Sequence, residues 1–252
     1  MNNDIERNYG TSNNNYDKKY TNEYNNYNDE FMNNNWSQTV RIGFIRKVYG
    51  ILSFQLLFTV IMCIISCTSR SFALFQINNV ALLWLSIIGS IIVSLCIICV
   101  KSLARTTPTN YILLGLFTFF ESYLVSAICS TSDPKIVLMA AAMTCTVVLA
   151  LTIYACTTKT DFTLMGGMLF VLGCVLFLFG IFAMFSQNKI VHIIYSCLGV
   201  ILFGFYLIYD TQLIVGQKSN ELDIDDYILG AFMLYTDIIS LFLHILSLLK
   251  EN

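Results

Sequence analysis

The sequence predicts an all-α polytopic membrane protein with seven transmembrane helices, and three observations carry that prediction. Of 252 residues, 56% are hydrophobic, 12% are charged and only two are proline, which is outside the usual composition of a soluble globular domain. The apolar residues fall into seven blocks, at about 44–67, 80–100, 111–130, 134–155, 162–185, 191–215 and 227–249. Each block holds the roughly 20 residues that cross a hydrocarbon layer of about 30 Å at 1.5 Å per residue. Helices buried in a soluble protein are also apolar all round, but seven of them in a chain this short leave nothing to cover them.

The elements follow in order. Residues 1–40 read as a disordered tail, because the first 36 hold thirteen Asn and five Tyr with almost no aliphatic side chains, too little to offset the entropy of ordering. No apolar h-region opens the chain, so no cleavable signal peptide is expected. Residues 41–252 form the membrane domain. Its first span starts beside Arg41, Arg46 and Lys47; its second carries Cys96 and Cys99 and is followed by Lys101 and Arg105. A C-x-x-C inside an apolar helix reads as small packing residues rather than a redox pair. Span 3 contains Glu121, span 5 opens on Asp161 as a helix N-cap, span 6 contains Asp210 and span 7 contains Asp237. Between the last two lies ELDIDDY, with Glu221, Asp223, Asp225 and Asp226. It lacks the spacing of an EF-hand and reads as a solvated acidic start to span 7, where negative charge suits the helix dipole.

Orientation follows from the basic residues. The tail and the even-numbered connections hold ten of the fourteen Lys and Arg, which favours a cytosolic amino terminus. Asn35-Trp36-Ser37 is a glycosylation sequon, and its modification would contradict that orientation.

Glu121, Asp210 and Asp237 are the only acids well inside the spans, and no Lys or Arg lies in those interiors. Intramembrane carboxylates are costly and normally face a bundle interior or aqueous cavity with a partner. These must be protonated, share protons or meet a cation. Glu121 and Asp237 each sit about 15 Å into their helices and Asp210 about 8 Å before the end of its own, so all three share one half of the membrane. Helical spacing agrees. Gly230, Asp237, Ser240, His244 and Ser247 form one stripe, and His192, Ser196, Gly199, Phe203, Tyr206 and Asp210 form another. Such faces either line a hydrated path or pack closely through small and hydrogen-bonding residues. His192 and His244 are placed toward the opposite membrane face, where they could meet. A proton shared by Asp210 and Asp237 would hold spans 6 and 7 together, and its loss would separate them or admit a divalent cation such as calcium.

At these residues the chain resembles the Bax inhibitor family, in its Lifeguard branch. The similar stretches are FIRKVYGILSFQLLFTV at 44–60, NYILLGLFTFFESYLV at 110–125, YDTQLIVG at 209–216 and DYILGAFMLYTDIISLFLHIL at 226–246. The resemblance implies seven helices with the last one central, and a pH-sensitive calcium leak of the endoplasmic reticulum or another internal membrane, associated with suppression of cell death. It places the family's pH-sensing aspartates on Asp210 and Asp237; Glu121, by its depth, and Tyr206, Ser240 and His244, by their place on the stripes, are the further candidates for an ion path. Calcium is then the transported ion, bound in passing at Asp210 and Asp237. The expected partners are the lipid bilayer, protons and death-regulating membrane proteins, with no resident cofactor, catalytic residue or nucleic acid. One departure stands out: the family's arginine on helix 2 has no counterpart within residues 80–100, and Arg105 lies beyond that span.

Two other functions compete. A non-conducting scaffold that binds death-pathway or calcium-handling proteins needs the same fold. An intramembrane aspartyl protease also pairs two aspartates on neighbouring helices, and Tyr209-Asp210 resembles its first motif. However, Tyr235-Thr236-Asp237 replaces Gly-x-Gly-Asp and no Pro-Ala-Leu follows. A serine rhomboid fares no better, since no Gly-x-Ser-Gly occurs.

Overall fold

A computed structural model describes residues 38–251 apart from Gln217. The expected disordered tail, except its last three residues, and the Asn35 sequon lie outside the described residues. Nine α-helices are described: α1 Gln38–Thr68, α2 Arg70–Asn78, α3 Val80–Cys99, α4 Lys101–Arg105, α5 Thr109–Ser130, α6 Pro134–Thr157, α7 Gly166–Phe185, α8 Lys189–Val215 and α9 Tyr227–Glu251. Seven are long and apolar enough to cross a membrane, with α7 extended by a 3-10 turn over Phe162–Met165. The expected spans agree with these helices, except that α1 begins at Gln38, six residues before its apolar block. The short α2 and α4 fill the first two connections and were not expected.

Local chemistry sets the helix ends. Ser69, Asp133, Asp161 and Asn188 each accept a hydrogen bond from a backbone N–H two or three residues on, capping α2, α6, the 3-10 turn and α8. Pro134 follows the Asp133 cap as the first residue of α6, where its missing N–H has no intrahelical partner to lose. Gly216 ends α8 at φ 75°, a left-handed backbone that costs a glycine little.

The surface is apolar where it meets lipid. Leu138, Phe170 and Met184 are 72%, 70% and 80% exposed, burial that a soluble protein would need and that acyl chains supply here. Inside, α9 is the central helix. It packs on α8, α6, α5 and α4. It also meets α1 through a Tyr235–Thr59 hydrogen bond of 2.8 Å and the Lys47 ammonium 3.2 Å above the Tyr227 ring. Its buried positions include Ile228, Ala231, Leu234, Tyr235, Leu241 and Leu246, so more than one face is covered. By contrast, α3 lies on α5 and α7 lies along α8.

Polar side chains join the helices on the α1–α5 flank. Gln55 Nε2 donates to Thr118 Oγ1 at 2.8 Å, while Thr59, Ser122 and Tyr235 share a hydroxyl cluster. Nearer α2, Gln76 bonds Ser66 and Ser126. Such contacts fix partners and register where lipid supplies no hydrophobic drive between helices.

Candidate functional site: a buried aspartate pair in an interhelical cavity

Asp210 and Asp237 belong to α8 and α9, which form the most extensive helix pair in the fold. Close approach is possible because Gly199 leaves room for His244. A Cβ at Gly199 would lie 2.4 Å from the imidazole ring. Ser196 Oγ donates to Ser247 Oγ at 2.8 Å one turn away. The two stripes expected from spacing therefore do meet.

Between α7, α8 and α9 they enclose a cavity of about 700 Å³. Its lining includes Ser196, Phe203, Tyr206 and Asp210 from α8; Thr236, Asp237, Ser240, His244 and Ser247 from α9; and Gly173, Leu176 and Phe177 from α7. No Lys or Arg lines it. Asp210 and Asp237 are 4% and 5% exposed, and their carboxyl groups lie within hydrogen-bonding reach of each other. Two carboxylates can hydrogen-bond only if one carries a proton. Asp237 Oδ2 has no hydrogen-bond partner. Among the described residues no third His, Cys, Asp or Glu joins them in a group able to hold a metal.

The remaining candidates divide. Tyr206, Ser240 and His244 line the cavity, Tyr206 with its hydroxyl donating 2.8 Å to Leu169 O on α7. Glu121 does not line it. It is half-buried on α5, on the opposite flank of α9, and acts electrostatically on Tyr235. Similar depth along the spans, the ground for grouping Glu121 with the pair, does not bring it into the cavity, because α5 packs elsewhere on α9. Nor do the histidines meet. His192 Nε2 lies 2.9 Å from Ser186 O beyond its own helix, whereas His244 stacks on Phe203 with Tyr195 edge-on.

Two features at the end of the bundle nearest the aspartates were not foreseen. The acidic loop is not simply solvated, because the Arg105 guanidinium grips Asp226 with two bonds of 2.7 Å and reaches Asp223 at 2.6 Å. Asp226 and then Asp223 hold that guanidinium's pKa above its ordinary value. Arg105 lies 121 positions from Asp226 in sequence, so no local pattern linked the two. The second feature is Gln212, two residues past Asp210. Its Nε2 donates to Ala155 O and Thr160 O, and its Oε1 accepts from Phe162 N. Nearby, Asp161 accepts from Ser219 N and from Thr163, so it ties two connections together besides capping a helix. Bonds from Ser219 and then Thr163 hold its carboxyl below the usual carboxylate range. The D-T-Q run thus puts its aspartate in the cavity and its glutamine in a polar clasp on the α6–α7 connection.

A third feature lies along α7. Gly166, Gly173 and Gly180 recur every seven residues, and each faces a tyrosine hydroxyl of α8, from Tyr209, Tyr206 and Tyr195. A Cβ at Gly173 would lie 2.6 Å from the Tyr206 oxygen. Seven-residue glycine spacing in an apolar span was a legible sign of a close helix contact.

Seven helices long and apolar enough to cross a membrane, the last of them central, with a buried carboxyl pair in the bundle, define a polytopic membrane protein with an intramembrane acidic site. Residues 41–252 match the family described as "Inhibitor of apoptosis-promoting Bax1", and the chain belongs to that family. It is 38% identical to human "Protein lifeguard 3" over 84% of this chain and 70% of that protein. It is 37% identical to "Protein LIFEGUARD 4" of Arabidopsis thaliana over 85% of this chain and 87% of that protein. It is also 35% identical to the "Golgi anti-apoptotic protein" of vaccinia virus (strain Lister), over 84% of this chain and 87% of that protein. The resemblance to the Lifeguard branch drawn from four short stretches therefore extends through the whole membrane domain.

Proposed function

We propose that this protein is a pH-sensitive, calcium-permeable leak of an internal membrane, gated by the proton that Asp210 and Asp237 share. One observation carries the reading: two buried carboxyls adjoin each other in a cavity that His244 lines but no Lys or Arg does. With one proton between them, the pair joins α8 to α9. Without it, two charges about 4 Å apart repel by roughly 4 kcal/mol at an effective dielectric of 20. Either the helices part or a divalent cation enters and neutralises both. Calcium suits such hard oxygen ligands, with water and backbone carbonyls completing its shell. Tyr206, Ser240 and His244 continue the path away from the pair.

The relative named as a Golgi anti-apoptotic protein supports an internal membrane and a role in restraining cell death. The basic residues support a cytosolic amino terminus. Lys47, Arg105 and Lys218 all contact elements at the end of the bundle where α9 begins and α8 finishes, the end that positive charge assigns to the cytosol.

The test uses purified protein in liposomes loaded with a calcium dye. Flux should rise with pH through the titration of the pair, because no arginine is present to neutralise the ionised aspartates. Asp210→Asn and Asp237→Asn should each abolish that dependence. No flux above protein-free liposomes at any pH would discard the leak in favour of a non-conducting scaffold, and cleavage of a transmembrane peptide would point to the protease.

A further inference from the structure

A path for a hydrated ion accounts for only one wall of the cavity. Leu176 and Phe177 of α7, Leu202 and Phe203 of α8 and Phe232 of α9 supply a long apolar surface beside the polar stripe. The volume of about 700 Å³ falls within the roughly 300–1,000 Å³ typical of sites for small organic ligands. Such sites combine apolar walls with a few convergent polar groups, as here. The cavity also reaches the lipid-facing surface, since Phe177 lines it and is 68% exposed. A ligand dissolved in the bilayer could therefore enter beside Phe177 of α7 without crossing water.

Charge selects among such ligands. The polar end carries Asp210 and Asp237, no Lys or Arg balances them, and Asp237 keeps an unpartnered oxygen. A phosphate or carboxylate head would sit against like charge and be repelled. A hydroxyl would gain a hydrogen bond but no charge attraction. A primary ammonium brings both a positive charge and three N–H donors. Tyr206 and Tyr209 line the same cavity as the pair, and aromatic faces beside a carboxylate are a common way to hold an organic cation.

We propose that the cavity binds a single-chain, long-alkyl primary amine, with its ammonium at Asp210 and Asp237 and its chain along Leu176, Phe177 and Phe203. This rests on reading the cavity as the functional site, but not on ion conduction through it. An amine seated there would supply the positive charge that no Lys or Arg lining the cavity brings to the pair. It would hold α8 and α9 together without a shared proton.

The experiment is saturable binding of radiolabelled tetradecylamine to the full chain in nanodiscs, corrected for partition into empty discs. Unlabelled tetradecylamine should compete, while tetradecanol and myristate should not. Asp237→Asn should weaken binding about tenfold or more, as expected for loss of a charged hydrogen-bond acceptor. Leu176→Trp, which fills the apolar part and leaves the carboxyls in place, should also weaken it. Circular dichroism would confirm that each variant keeps its helices. Equal competition by tetradecanol, or unchanged binding by Leu176→Trp, would overturn the proposal, and neither result depends on the aspartate variants folding. Calcium flux measured on the same protein separates the two readings. Flux without amine binding removes this inference alone, and amine binding without flux upholds it while removing the leak.

Discussion

Helix α9 has two flanks built from similar residue types and arranged in opposite ways. Toward α1 and α5, Tyr235 meets Thr59 and Ser122, Asn110 meets the Tyr227 hydroxyl, and Phe117 packs edge-on against Tyr235 at 5.9 Å between ring centroids. The α9 side chains that face this flank, Tyr227 and Tyr235, spend their hydroxyls on neighbouring helices, although Gln55 Oε1 of α1 and the Tyr123 hydroxyl of α5 lack partners. Toward α7 and α8, Asp237, Ser240 and His244 face a cavity, and an aspartate oxygen lacks a partner. A polar residue inside a membrane protein is thus not in itself a sign of a path. What separates the two flanks of α9 is whether its own polar side chains meet a neighbouring helix or a cavity. The family fold supplies both kinds on one helix, so substitutions on the two flanks should differ in what they change.

The largest effect is expected at the contact that shapes the cavity. Gly199→Val would drive a branched side chain into the His244 ring and push α8 from α9, costing about 2–3 kcal/mol as overpacking does. A denaturant titration in micelles would measure it, and an unchanged midpoint would mean the contact yields easily. On the α1–α5 flank, Tyr235→Phe removes one hydroxyl while Thr59 and Ser122 keep each other, at 2.8 Å. The expected cost is about 1 kcal/mol or less, with the pH response of calcium flux intact. If that response vanished, the contrast between flanks would be lost.

Smaller effects belong to the end of the bundle that clasps the connections. Arg105→Gln frees Asp223 and Asp226, and amide exchange over residues 219–226 should quicken while the rest of α9 stays protected. Arg105→Lys should restore part of that protection, since a point charge replaces a two-pronged grip. The smallest effect concerns Asp161. Its carboxyl is held below its ordinary value by bonds from Ser219 and Thr163. Its contribution is therefore fully present above the unfolded value of about 3.9 and is lost as pH falls through the lower folded value. Acid should loosen the α6–α7 and α8–α9 connections first, read as faster exchange at Ser219 and Thr163. Loosening confined to neutral pH would contradict that sign.

Much of this was legible in the residues. Seven apolar blocks fixed the spans, because length and hydropathy are local properties that the bilayer reads directly. Helical spacing put Asp210 with Tyr206 and Asp237 with Ser240 and His244 on facing stripes, and the fold brings those stripes together. Glu121 shows the limit of that reasoning. Depth along a helix can be computed from sequence, but the side of α9 on which a helix packs cannot. Arg105, Gln212 and the tyrosine partners of the α7 glycines escaped for the same reason, since each pairing joins different helices or connections. The acidic loop looked solvated only until its arginine was located.

The most direct test of the central claim is calcium flux through the purified protein in liposomes, followed from mildly acidic to alkaline pH in the wild type, Asp210→Asn and Asp237→Asn. A shared proton at the α8–α9 contact predicts a wild-type flux that rises with pH and two variants whose flux does not vary with it. Identical pH profiles in all three proteins would contradict the account and leave the aspartates as structural residues.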